Sequence, residues 1–125
     1  MPITTVPLTD HVGSELHVDR SELLSGQHAD AIRGLLVERG ALVIRDLHLN
    51  DEELRTVARS LGDLRLGSAK RGADGKVLHE GDGGVLKVSL DPDVNPDYAR
   101  FLFGNLLWHM DGTYEEVPPF ATLFT

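Results

Sequence analysis

The sequence predicts an α+β domain, mainly β, with two flanking helices. Three observations lead there. Two segments repeat apolar residues at helical spacing, several short runs alternate or are continuously apolar, and Gly, Asp and Pro clusters separate them. With 125 residues, the chain is expected to form one domain with a modest core, spanning 1–125.

Short strands are expected around Thr4–Leu8 and Glu15–Val18, split by the turn signals Asp10 and Gly13. A single helix is expected from Ser21 to Arg39, with Leu24, Ala31, Ile32 and Leu35 on its apolar face and Gly40 past its end. Gly34 inside it costs about 1 kcal/mol relative to alanine, so this helix depends on packing. Ala41–Ile44 reads as a buried strand. Asn50 with Glu53 three residues on predicts a capped second helix, with Leu54, Val57, Ala58 and Leu61 as its stripe and Gly62 as its end. Residues 67–84 are rich in glycine and charge and read as a long loop. Val85–Leu90 alternates, placing Leu86, Val88 and Leu90 toward a core, and the run Asp91–Asp97 ends that strand. Phe101–Asp111 is β-leaning, and Ala121–Phe124 starts another strand.

Composition excludes several functions. The chain has no cysteine, which removes disulfides, thiolate zinc sites and cysteine nucleophiles, and fits a reducing cytoplasm. Neither an 18-residue apolar run nor a signal-like N-terminus is present, so a soluble cytoplasmic protein without a membrane partner is expected. A formal net charge of −8 opposes nucleic-acid binding. Locally, Arg65, Lys70, Arg71 and Lys76 form a basic loop that either attracts an anionic small molecule or is simply solvated. Gly81–Gly84 lacks the spacing and the Lys-Ser/Thr ending of a phosphate-binding loop.

His-x-Asp occurs three times, so spacing alone selects none of them. His28 and Asp30 lie in the expected first helix, where residues two apart face nearly opposite ways. In His17-Val-Asp19, the acid is better placed as a helix N-cap or first-turn carboxylate. His109 and Asp111 sit in an expected strand, where residues two apart share a face. They are therefore candidate ligands of one metal ion, with Trp108 and Met110 turned into packing. The alternative is a solvated or hydrogen-bonded His–Asp pair.

The string Gly104-Asn105-Leu-Leu-Trp108-His109-Met-Asp111-Gly-Thr113-Tyr114, followed by Pro118-Pro119-x-Ala121, resembles the taurine and 2,4-dichlorophenoxyacetate dioxygenase family. The upstream order fits too, including the Ala41–Asp46 strand and the Leu61-Gly62-Asp63-Leu64 close of the second helix. The resemblance runs over essentially the whole chain but only the N-terminal portion of a typical member. It implies part of a double-stranded β-helix, or jelly roll. It also implies an iron(II)- and 2-oxoglutarate-dependent dioxygenase in which His109 and Asp111 are two of three facial ligands. Dioxygen and a small, anionic organic substrate are the implied reactants, ascorbate is the assay reductant, and the complete enzyme is expected to self-associate. Asn105 matches a substrate-side asparagine, or is a turn residue after Gly104. Lys70 faces an anionic substrate or lies on the surface. Gly67 and Lys70 stand where taurine-type members carry the histidine and tyrosine that hold a sulfonate, which disfavours taurine.

The second triad histidine, the 2-oxoglutarate-binding arginine and a Gly-Gly-x-Thr segment would all follow Thr125 in such a family member. The chain is therefore expected to be an inactive N-terminal piece, with the cofactor-binding residues beyond residue 125. The alternative is a non-catalytic remnant or a binding module completed by a partner. A zinc hydrolase would explain His109 and Asp111 but not Trp108, Thr113-Tyr114 or Pro118-Pro119.

Overall fold

A computed structural model describes residues 3–64, 70–71, 77–79, 84–85, 88–94, 106–113 and 116–125. The chain forms two compact units, one of residues 1–64 with 123–125 and one of residues 65–122.

In the first unit, β1 (Thr4–Pro7) pairs antiparallel with β2 (Ser14–His17), Thr4 opposite His17 and Pro7 opposite Ser14. Pro7 lacks a ladder donor and lies on an edge strand, where that is tolerated. Gly13 closes the turn at φ +80°, a left-handed position that suits glycine. Strand β3 (Leu42–Val43) joins β2 in parallel, giving the order β1-β2-β3. A parallel pair needs a long crossover. Helices α1 (Arg20–Ser25) and α2 (Ala29–Arg39) supply it.

The single helix expected over Ser21–Arg39 is thus two. Gly26 adopts φ +73° and donates its N–H to Leu23 O at 3.2 Å, which ends α1. The break also allows close packing, since a Cβ on Gly26 would lie 3.0 Å from Ser60 Cβ. Restarting the helix at Ala29 resets its phase. Ile32 is buried as expected and Leu23 joins it, while Leu24 and Leu35 are half-buried and Ala31 is exposed. His28 is consequently an N-cap residue outside the helix, with no side-chain cap bond.

Helix α3 (Asp51–Leu61) starts on the expected capping box. Asn50 Oδ1 accepts the N–H groups of Glu52 (3.1 Å) and Glu53 (3.0 Å), and Glu53 Oε2 accepts that of Asn50 at 3.0 Å. Val57 and Leu61 point into the core, which they form with Leu16, Leu23 and Ile32. Leu123 packs beside this cluster, and Thr125 Oγ1 donates to Leu49 O at 3.1 Å. The strand expected over Ala41–Ile44 shrinks to two residues. It is an edge strand, so Val43 is exposed and Leu42 only half-buried.

Two expected results arise from this unit. Gly34 lies exposed inside α2 with nothing within 4 Å of a built Cβ, so Gly34→Ala should raise stability by about 0.5–1 kcal/mol, read as a higher urea midpoint. The second concerns Glu53. The Arg20 guanidinium grips its carboxylate through two hydrogen bonds, one at 3.1 Å, and with the Asn50 N–H holds its pKa below the ordinary 4.5. The unfolded chain therefore takes up this proton first, and the stabilisation is lost as pH falls from the ordinary value through the lower folded one. Glu53→Gln should flatten the acid limb of stability against pH while leaving the fold intact.

In the second unit, β4 (Lys70–Arg71) and β5 (Val77–His79) pair antiparallel, Lys70 opposite His79. The expected loop over 67–84 therefore contains a short, irregular β pair. Asp91 Oδ1 accepts the N–H of Asp93 at 2.9 Å, and Asp91 O that of Val94 at 3.1 Å, a turn where the Asp-Pro-Asp run predicts a break. Leu86 and Phe101–Asn105 lie outside the described residues.

The described parts of the strands expected over Val85–Leu90, Phe101–Asp111 and Ala121–Phe124, namely 85, 88–90, 106–111 and 121–124, carry no ladder. A strand needs a partner for its backbone groups, and none of these stretches has one there. As a result, Val88 and Leu90 are exposed rather than core-facing, and Trp108 and Met110 are exposed instead of packed. The described fold is α+β with three helices, not two. No helix among the described residues is long and apolar enough to cross a membrane.

Candidate metal centre

His109 and Asp111 come together without a strand to align them. His109 Nε2 lies 3.5 Å from Asp111 Oδ1, and both side chains are about half exposed. Gly112 follows at φ +67°, turning the chain immediately after the acid. Each group has one atom engaged elsewhere. His109 Nδ1 lies 2.7 Å from Leu107 O, and because a carbonyl only accepts, Nδ1 carries the proton. Asp111 Oδ2 accepts from Thr122 Oγ1 at 3.3 Å.

The remaining atoms, Nε2 and Oδ1, therefore present lone pairs to each other. Two such donors at this separation are reconciled by a cation between them. A proton on Nε2 gives an ion pair, and a metal ion gives a bidentate grip. Two donors about 2.0–2.2 Å from one ion stand roughly 3–3.5 Å apart, which fits the observed gap. Among the described residues, no group of three His, Cys, Asp or Glu side chains gathers around one point.

The other candidates are accounted for individually. Asn105 lies outside the described residues, and of Lys70 only its backbone place in β4 is described. His17 pairs with Glu15 (3.5 Å) and His28 with Glu22 (3.4 Å), so neither histidine joins its nearby aspartate. Asp19 occupies the N-cap position of α1 as expected, but its side chain makes no capping bond. His79, expected in a loop, is in β5.

In the first unit an open cleft of about 650 Å³ is lined by Glu15, His17, Asp19, Arg45 and Asp46, among others. Within it, the Glu15 carboxylate pairs with Arg45 and His17. Arg45 Nε donates to Glu15 at 2.7 Å, and this bond holds the Glu15 carboxyl below its ordinary range. Sequence reasoning missed Thr122. It lies eleven positions past Asp111, beyond Pro118-Pro119, and no local spacing rule connects the two.

A family model described as "Taurine catabolism dioxygenase TauD, TfdA family" matches residues 4–125. The chain belongs to this family. No curated protein gives a significant match. Among solved structures, the crystal structure of AAD-2 in complex with Mn(II) and N-oxalylglycine matches with a TM-score of 0.61 at 24% identity, over 94% of this chain and 39% of that one. At that identity the likeness establishes the fold, and the chain spans about two-fifths of the AAD-2 chain. The described α+β fold therefore matches part of a TauD-like dioxygenase fold.

Proposed function

We infer that this chain contributes His109 and Asp111 as two protein ligands of iron(II) in a 2-oxoglutarate-dependent dioxygenase that acts on a small, anionic organic substrate. The observation that carries the reading is the Nε2–Oδ1 pair, 3.5 Å apart inside a family match over residues 4–125. The AAD-2 ligands support it. N-oxalylglycine is 2-oxoglutarate with an NH in place of the methylene next to the keto carbon, and it is bound there together with a divalent metal.

Bound iron(II) with 2-oxoglutarate and dioxygen supplies oxidative decarboxylation, releasing succinate and carbon dioxide, coupled to hydroxylation of a substrate C–H bond. The residues of this chain prepare that centre. Leu107 O fixes the imidazole tautomer, leaving the Nε2 lone pair for the metal. The Asp111 carboxylate offsets one positive charge of a divalent ion. Both donors are neighbours on one turn, so they cover one side of the ion and leave its other positions to further groups.

A third protein ligand and an arginine for the keto acid are groups we assign to polypeptide beyond these 125 residues, as part of a completed jelly roll. Leu106, Leu107, Trp108 and Met110, all at least 71% exposed, favour this: an apolar run beside a metal centre is suited to being covered by additional chain. Two ligands hold a metal weakly, and without the keto-acid arginine the co-substrate lacks its anchor. Purified chain supplied with iron(II), 2-oxoglutarate and ascorbate is therefore expected to form no succinate above the metal-only blank. Succinate stoichiometric with carbon dioxide from this chain alone would mean that a complete centre already exists within it.

A further inference from the structure

We propose that Thr122 is a positioning residue for the metal centre, setting the orientation of the Asp111 carboxylate so that Oδ1 faces the histidine. This rests on the reading of His109 and Asp111 as metal ligands. The Thr122 hydroxyl donates to Asp111 Oδ2 at 3.3 Å, while Oδ1 of the same carboxylate lies 3.5 Å from His109 Nε2. A free aspartate side chain rotates about its Cβ–Cγ bond and exchanges its two oxygens. A donor fixed on one oxygen stops that exchange and commits the other to the metal side.

Threonine suits this task because its branched Cβ stiffens χ1, so the hydroxyl is held rather than swept through solvent. The contact is tertiary, since the partners lie eleven positions apart in the chain. It is also exposed at both ends, so its contribution to folding is small and its main consequence is orientation. Leu107 O orients the imidazole in the same way from the other side. Each donor atom then has its own dedicated support.

The test uses the 125-residue chain and Mn(II) alone, whose paramagnetism broadens amide resonances near a bound ion even when binding is weak. In the wild-type chain, substoichiometric Mn(II) should selectively broaden the amides of 107–113 and 122. Thr122→Val, which keeps the shape and removes the hydroxyl, should weaken this response about tenfold without moving the thermal midpoint. Thr122→Ser should restore most of it. The Asp111 carboxyl carbon resonance of the metal-free chain should move in Thr122→Val and return in Thr122→Ser.

Asp111→Ala and His109→Ala separate this proposal from the reading beneath it. If both abolish the selective broadening while Thr122→Val matches wild type, Thr122 has no positioning role and the metal reading stands. If selective broadening survives Asp111→Ala, the metal assignment fails and the role of Thr122 fails with it.

Discussion

Leu16→Ala should leave the first unit without a cooperative unfolding transition at 25 °C. Leu16 is 1% exposed, sits on the central strand of the three-stranded sheet, and is the most deeply buried large side chain among the described residues. Truncating a buried leucine costs about 2–5 kcal/mol through lost burial and the cavity left behind. Among the described residues the core has four other buried apolar side chains, drawn from all three helices, so little is available to collapse into that space. Small domains of this kind have roughly 5 kcal/mol of stability to lose. Urea denaturation followed by far-UV circular dichroism should show a sigmoid for wild type and a featureless slope for the variant. Val43→Ala, at an exposed position on edge strand β3, is the matched control and should move the midpoint only slightly.

The second large effect falls on the metal centre. His109→Ala and Asp111→Ala should each remove selective Mn(II) binding by the chain, and the double variant should be no worse than either single one. Groups that act as one unit give non-additive losses, because removing the first already destroys the shared site. An ordinary surface ion pair between the two would leave a different record. It would contribute at most about 1 kcal/mol to stability, and its removal would not change how the chain handles divalent metal. Removing the carboxylate of Glu22, which pairs with His28 at 3.4 Å, should leave Mn(II) binding at residues 107–113 unchanged.

How much of this was legible in the sequence depended on how local the determinant was. The Asn50–Glu53 capping box and the apolar stripe of α3 are set by residues within a few positions of one another; the box appears as read, and Val57 and Leu61 of the stripe are buried while Leu54 and Ala58 are half-buried. The broken first helix was harder, because the decisive fact is tertiary: Gly26 lets the end of α1 approach Ser60 on α3. Its periodic residues suggested continuity, yet the break shifts burial from Leu24 and Ala31 to Leu23, while Ile32 is buried as expected.

The described parts of the strands expected over 85–90, 101–111 and 121–124 lack a ladder for one shared reason. Alternation describes a chain with a neighbour to pair with, and the described residues provide none there. The juxtaposition of His109 and Asp111 was nevertheless anticipated, although for a different geometric reason. A turn at Gly112 and hydrogen bonds to Leu107 O and Thr122 bring the groups together in place of strand pleating. Thr122 itself was invisible in the sequence because nothing local links it to Asp111.

The measurement that bears most directly on the central claim is a crystal structure of the chain grown with Mn(II), with data collected to locate manganese by its anomalous signal. One manganese peak should lie about 2.0–2.3 Å from both His109 Nε2 and Asp111 Oδ1, with the imidazole still donating from Nδ1 to Leu107 O. Manganese bound elsewhere, or His109 and Asp111 joined directly to each other with no ion between them, would contradict the account.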